Sequence, residues 1–190
     1  MIEGKRLIVI GGPNGAGKTT FARDYLEEYP ADFLSADDLA LKLSPDQPEL
    51  ARIEAGRQFS KKLQEAFRSG KSIVIESTLS GKSMQRILTQ AREAEYGITI
   101  AFIFLESAQA CINRVRERVR KGGHDVPDGD VIRRFSRSKE NFWNIYKDEA
   151  DIWFLFYNSD AMFSMVALGE QNRYNVTNEE AFGIFLEGIK

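Results

Sequence analysis

The feature that most constrains this chain is a glycine loop set between a short apolar run and a helical one. Residues 7–10, Leu-Ile-Val-Ile, are consecutive apolar residues, the pattern of a strand buried on both faces. They lead into Gly12-Pro13-Asn14-Gly15-Ala16-Gly17-Lys18-Thr19, which satisfies G-x-x-x-x-G-K-[ST] at every fixed position. Past Thr20, the apolar residues Phe21, Ala22 and Tyr25 recur at helical spacing. Glycines let backbone N–H groups crowd a polyphosphate, and a helix N-terminus adds donors and partial positive charge. In such a loop Lys18 reaches the β- and γ-phosphates and Thr19 ligates Mg²⁺. Residues 12–20 are therefore expected to bind a nucleotide, with ATP and Mg²⁺ as cofactors. A chance glycine-rich turn would fit the loop pattern but would not supply the strand before it and the helix after it.

The rest of the composition sets limits. With 190 residues the chain is expected to form a single domain over 1–190. Its net charge of −2 argues against a general nucleic-acid partner, so positive charge at a phosphate site must be local. A single cysteine, Cys111, rules out an intramolecular disulfide and fits a reducing cytoplasm, the expected location. The longest apolar run, residues 98–105, is too short to span a bilayer, so no membrane association is expected.

Strand-like runs at 31–35, 72–76, 98–105 and 152–157 alternate with helical patterns at 49–68, 83–96, 108–121 and 131–149. In the 49–68 helix, Ile53, Phe59, Leu63 and Phe67 are expected to face inward. Residues 163–168 and 174–176 read as a small β extension, and 179–189 as a closing helix. The alternation predicts an α/β fold of the P-loop NTPase type, a doubly wound and mostly parallel sheet with 98–105 near its centre. Ligands in such sheets bind at the carboxyl ends of strands. Three polar groups fall there: the glycine loop, Asp37 with Asp38, and Glu76 with Ser77, Thr78 and Ser80. The strand before Asp37 is expected to neighbour the glycine-loop strand.

Each group has a chemical reading and a plainer one. Ser35 caps a helix whose first turn holds Asp37 and Asp38, and the helix dipole alone favours acids there. Alternatively one of them, Asp37 in preference, takes a proton from an attacking hydroxyl or supports Mg²⁺. Glu76 ends its strand where Asp is more usual, and with its hydroxyl neighbours it suits a polyol or sugar. It would equally serve as an edge carboxylate paired with a cation. Residues 114–139 carry nine basic side chains against four acids. A solvated helix face explains many such runs. The split at Gly122-Gly123-His124-Asp125-Val126-Pro127 instead suggests a lid, about 114–139, with Arg114 and Arg118 together by helical spacing, whose two arginine-bearing helix ends close over phosphates. His124 reads as an exposed loop residue, and Tyr157-Asn158-Ser159 as a turn or an adenine contact.

Together these segments resemble the zeta-toxin family of P-loop kinases, in particular its chromosomal branch. The matching text is Gly-Pro-Asn-Gly-Ala-Gly-Lys-Thr-Thr, then Phe33-Leu-Ser-Ala-Asp-Asp-Leu-Ala40 and Ile75-Glu-Ser-Thr-Leu-Ser80. It continues with Arg114-Val-Arg-Glu-Arg-Val-Arg-Lys-Gly-Gly-His-Asp-Val-Pro127 and Val131-Ile-Arg-Arg-Phe135. The resemblance implies a small-molecule-kinase-like fold with an arginine-rich lid. It also implies transfer of the ATP γ-phosphate to a UDP-sugar such as UDP-N-acetylglucosamine, and a protein antitoxin as partner. It makes Asp37 the base, Glu76 and Thr78 substrate-binding, and Arg118 with Arg133 or Arg134 the lid arginines. Ser35 stands where the family often has Asn. Two other functions fit the residues alone: a kinase for a nucleoside, simple sugar or organic acid, and an ATP-binding module without transfer activity.

Overall fold

The computed structural model describes residues 4–159, 162–170 and 173–189. Strand β1 (Arg6–Gly11) is buried over its last five residues, and α1 (Lys18–Glu28) starts directly from the glycine loop. Next come β2 (Asp32–Ser35) and α2 (Ala36–Leu43), capped by Ser35, whose Oγ accepts the Asp38 N–H at 3.3 Å. A 3₁₀ turn (Pro48–Ala51) leads into α3 (Arg52–Ser69), which ends at Gly70 with φ 66°. The remaining order is β3 (Ile73–Ser77), α4 (Ser83–Glu93), β4 (Gly97–Phe104), α5 (Ala108–Arg120) and α6 (Asp128–Asn141). A π-helical turn (Phe142–Tyr146) joins α6 to a last helical turn, α7 (Lys147–Glu149). Strands β5 (Ile152–Ser159), β6 (Met162–Glu170) and β7 (Arg173–Val176) precede α8 (Glu179–Leu186).

The seven strands form one sheet in the order β2-β3-β1-β4-β5-β6-β7. The first five are parallel, and β6 and β7 add an antiparallel extension. This is the expected α/β P-loop fold, with β4 in the middle position. The neighbour of β1 on one side is β3, however, and not β2. The Asp37 strand is thus one place further from the glycine loop than expected, and Glu76 takes the adjacent place, opposite Ile10. A parallel crossover can skip a position, and nothing in local residue pattern marks that skip.

Helices cover both faces, as a parallel sheet requires. The larger core joins β1, β3, β4 and β5 to α3, α4 and α8 through Leu63, Leu88, Phe102, Trp153 and Phe185. The smaller one packs α1 on the opposite face through Ile8, Ile10, Ala22 and Ile103. Within the larger core Phe102 stacks on Phe142 at 4.5 Å between ring centres. Among the described residues no helix is long and apolar enough to cross a membrane.

Three helix expectations need correction. Ile53 is 75% exposed, not inward. Buried Pro48 fixes a 3₁₀ turn, and the inward stripe of α3 is Ala55, Phe59, Leu63 and Ala66, with Ile53 about 200° round from Ala55 at 100° per residue. Helix α4 ends at Glu93, before left-handed Glu95 (φ 57°), and buried Tyr96 donates its hydroxyl to the Ala66 and Lys71 carbonyls. The 131–149 helix starts earlier, at Asp128, and changes to π geometry at Phe142.

Candidate functional site

The glycine loop bends because two of its residues sit where a side chain cannot. Gly12 has φ 141°, and a Cβ there would lie 2.1 Å from the Ile103 carbonyl oxygen; Gly15 has φ 81° and would meet the Cys111 carbonyl at 2.6 Å. Only glycine fits both the backbone angle and the space. Beneath the loop, burial pushes the Cys111 thiol up to about 12.

The loop is also held from the side. Asn158, 2% exposed at the tip of β5, donates its Nδ2 to the Ala16 carbonyl at 2.8 Å, while its backbone carbonyl accepts from Arg114 Nη2 at 3.3 Å. The Tyr157-Asn158-Ser159 segment thus contains a loop support. Its sequence shows no signal for this, because the partner is 142 residues away.

Above the loop lies a cleft of two joined cavities. The larger, about 640 Å³, is lined by Asn14, Gly15, Gly17, Lys18, Thr19 and Thr20 and by Asp37, Glu76, Arg114, Glu117, Arg118, Lys121 and Gly123. The smaller, about 320 Å³, takes Ser35, Thr78, Ser80, Arg52, His124 and Arg134 into its wall. Lys18, Asp37 and Glu76 line both. Asp38 lines neither, since one residue along a helix turns the side chain by about 100°.

Lys18 is 6% exposed; its Nζ donates to the Pro13 carbonyl at 3.0 Å and lies 3.7 Å from Glu76 Oε1. Thr19 donates its hydroxyl to Glu76 Oε2 at 2.9 Å. A hydroxyl and a carboxylate side by side are hard oxygen donors of the kind Mg²⁺ takes, the cation keeping further positions for phosphate oxygens and water. The glycine loop, a buried ammonium and a helix N-terminus above it make an anion-binding concavity.

The basic segment divides. Arg134 reaches the glycine loop, donating to Asn14 Oδ1 at 3.2 Å, and is also paired with Asp130. Arg133 pairs with Asp130 at 2.8 Å, is more than half exposed, and lines neither cavity. Arg118 lines the larger cavity while donating to the His124 carbonyl at 2.7 Å, which ties the Gly122-Gly123-His124 bend to α5. His124 is not a free surface loop residue but part of the smaller wall. Arg52, Glu117 and Lys121 also line the cleft and were not singled out from sequence, because nothing local distinguishes them from other charged helix residues.

In the wall of the smaller cavity, the Thr78 and Ser80 hydroxyls lie 2.9 Å apart in the loop after β3. Between them Leu79 adopts φ 54°, a left-handed angle rare for a residue with a Cβ. Its N–H bonds Ser77 Oγ at 3.2 Å and its side chain is 1% exposed.

Comparison with known proteins places the fold. The chain superposes on the AvrRxo1-ORF1:ORF2 complex with a TM-score of 0.74 at 18% identity, covering 97% of this chain and 64% of that one. It thus spans somewhat under two thirds of that neighbour's length. The PezAT chromosomal toxin–antitoxin system of Streptococcus pneumoniae gives a TM-score of 0.67 at 15% identity, over 98% of this chain and 79% of that one. An uncharacterized protein of Haemophilus influenzae is 29% identical over 124 residues, which is 65% of this chain and 88% of that protein. The profile of a P-loop family described as an AAA domain matches residues 7–140, well over half of the chain, and the protein belongs to that family.

Proposed function

We propose that the protein is an ATP-dependent phosphotransferase that moves the γ-phosphate onto a hydroxyl of a small acceptor. One observation carries this reading: the two cavities meet at Lys18, Asp37 and Glu76. A site that only bound nucleotide would need the larger cavity. A second cavity with its own hydroxyls, opening at the same three charged residues, gives an acceptor a place beside the phosphate.

In this reading the glycine loop and Lys18 cradle the triphosphate, with Thr20 and Arg114 at the cavity wall. Thr19 and Glu76 would hold Mg²⁺, which supplies positive charge to the phosphate oxygens when bound. Phosphoryl transfer is mostly positioning and charge stabilisation, and Arg118 and Arg134 bring guanidinium groups to both walls. Asp37 orients the acceptor hydroxyl and takes its proton as the new P–O bond forms. Arg133 is better placed to steady Asp130, and through it Arg134, than to touch phosphate.

The acceptor is a UDP-sugar such as UDP-N-acetylglucosamine, held through Ser35, Glu76 and Thr78. This rests on the motif resemblance to zeta toxins and agrees with the fold likeness to the PezAT system. The same likeness supports a protein antitoxin as partner, and that to the AvrRxo1-ORF1:ORF2 complex a protein partner in general. Residues 1–190 act as one domain with the lid over about 114–139. The test is incubation with γ-labelled ATP, Mg²⁺ and a panel of UDP-sugars, nucleosides, simple sugars and organic acids. Label on a UDP-sugar supports the full reading, label on another acceptor corrects the substrate, and ATP binding with no labelled product refutes transfer.

A further inference from the structure

The loop after β3 is bent where its own residues do not favour bending. Leu79 holds a left-handed angle that a side chain disfavours, and such an angle persists only when surrounding contacts over-determine it. The contacts come from the far end of α6. Asn141 donates its Nδ2 to the Leu79 carbonyl at 2.8 Å, and the Tyr146 hydroxyl donates to the Gly81 carbonyl at 2.5 Å. Tyr146 is fully buried, so its ring is fixed by the core while its hydroxyl reaches the loop.

These two donors are five residues apart. On an α-helix, at about 100° per residue, they would point roughly 140° away from each other. The segment between them is the π turn, in which hydrogen bonds run from i to i+5 and five residues close about one turn. The π turn therefore brings Asn141 and Tyr146 onto one face, where each meets one carbonyl of the same loop. Between the two gripped carbonyls lies Ser80, whose hydroxyl pairs with Thr78 in the acceptor cavity. Leu79 itself packs on Gly11, where a Cβ would come within 2.5 Å of its Cδ1. The grip thus extends to the last residue of β1 before the glycine loop.

We propose that Asn141 and Tyr146 form a clamp, created by the π turn, that positions the Thr78–Ser80 hydroxyl pair for the acceptor. They are positioning residues: they line neither cavity and act through the loop they hold. The proposal rests on the smaller cavity being the acceptor side, as set out above.

Two variants test it, Asn141→Ala and Tyr146→Phe, the second removing a single oxygen atom and keeping the ring in the core. Amide hydrogen exchange is followed over residues 78–81 and over the glycine loop. Steady-state kinetics use ATP and UDP-N-acetylglucosamine as probes. The clamp predicts exchange at 78–81 faster by about tenfold, with exchange in the glycine loop and the ATP-induced rise in Tm unchanged. It also predicts a KM for UDP-N-acetylglucosamine raised about three- to tenfold, as loss of one hydrogen bond would give, and a KM for ATP within about twofold. Unchanged exchange at 78–81 in a folded variant overturns the clamp, as does an equal change in both KM values. If Asn141→Ala does not fold, Tyr146→Phe decides. If wild type leaves UDP-N-acetylglucosamine unmodified, the substrate reading fails and the exchange experiment still judges the clamp.

Discussion

Two loops face each other across the cleft, at the tips of the neighbouring strands β1 and β3, and they are bent by different means. The first is bent by its own residues: Gly12 and Gly15 take positive φ without cost, and nothing larger would clear Ile103 or Cys111. The second is bent against the preference of its own residue, Leu79, by bonds from Asn141 and Tyr146 more than sixty residues away. A loop of the first kind announces itself in the sequence. A loop of the second kind does not, and its shape is open to adjustment from elsewhere in the fold.

The largest expected effect separates the two sides by what they do. Asp37→Asn removes the proposed base, and single-turnover transfer should fall by about 10²–10⁴ while ATP still raises the Tm. Asp38→Asn should stay near wild type. Lys18→Ala should behave oppositely to Asp37→Asn and lose the ATP-induced Tm rise itself. Near-normal turnover in Asp37→Asn would remove Asp37 as the base.

Breaking the first loop comes next. Gly15→Ala forces a Cβ to 2.6 Å from the Cys111 carbonyl at φ 81°. A cost of about 1–3 kcal/mol is expected for a residue held so, read as a lower Tm and weaker ATP binding in calorimetry. An unchanged variant would show that the loop is less rigid than its geometry.

For the second loop the diagnostic quantity is smaller, a difference of about 1 kcal/mol between two variants. Leu79→Ala should destabilise by about 2–5 kcal/mol through the cavity it leaves. Leu79→Gly removes more side chain, yet it should cost about 1 kcal/mol less than alanine, because glycine alone is at ease at φ 54°. Urea unfolding of both variants measures the order. The usual order, with glycine worse, would mean that the bend is not held against preference.

The smallest effect concerns the floor of the first loop. With its thiol pushed up to about 12 by burial, Cys111 should be ionised in about one molecule in 10⁴ at pH 8. Iodoacetamide should leave the native protein unlabelled and modify it readily in urea. Rapid native labelling would place Cys111 outside the packed floor.

This contrast also explains what the residues disclosed. The glycine loop, the Ser35 cap with Asp37 behind it, and Glu76 at the end of its strand were legible, because each depends on neighbours a few positions away. The order of β2 and β3 was not, since strand order is set by how crossovers pack. Asn158 reaches the glycine loop, and Arg52 and Lys121 the cleft, by tertiary packing, and none carries a local mark. The arginines were legible as a group only, and the choice between Arg133 and Arg134 needed the Asn14 contact. The π turn escaped because its register shows only once Asn141 and Tyr146 have partners.

The strand order has a consequence for how the molecule comes into being. The main chain of Arg6, at the start of β1, bonds the Ser72 side chain 66 residues later; its guanidinium bonds Thr99, 93 residues later. The support for the glycine loop at Ala16 arrives only with Asn158. Loop closure over such separations is slow compared with local structure formation. During synthesis the phosphate-binding motif emerges before β3 and β4, the strands that flank β1, and stays without them until they follow. Its lateral support comes only with Asn158, 142 residues after Ala16. The most recognisable part of the sequence therefore acquires its working shape only once distant segments are in place, and a nascent or truncated chain carries the motif without that support.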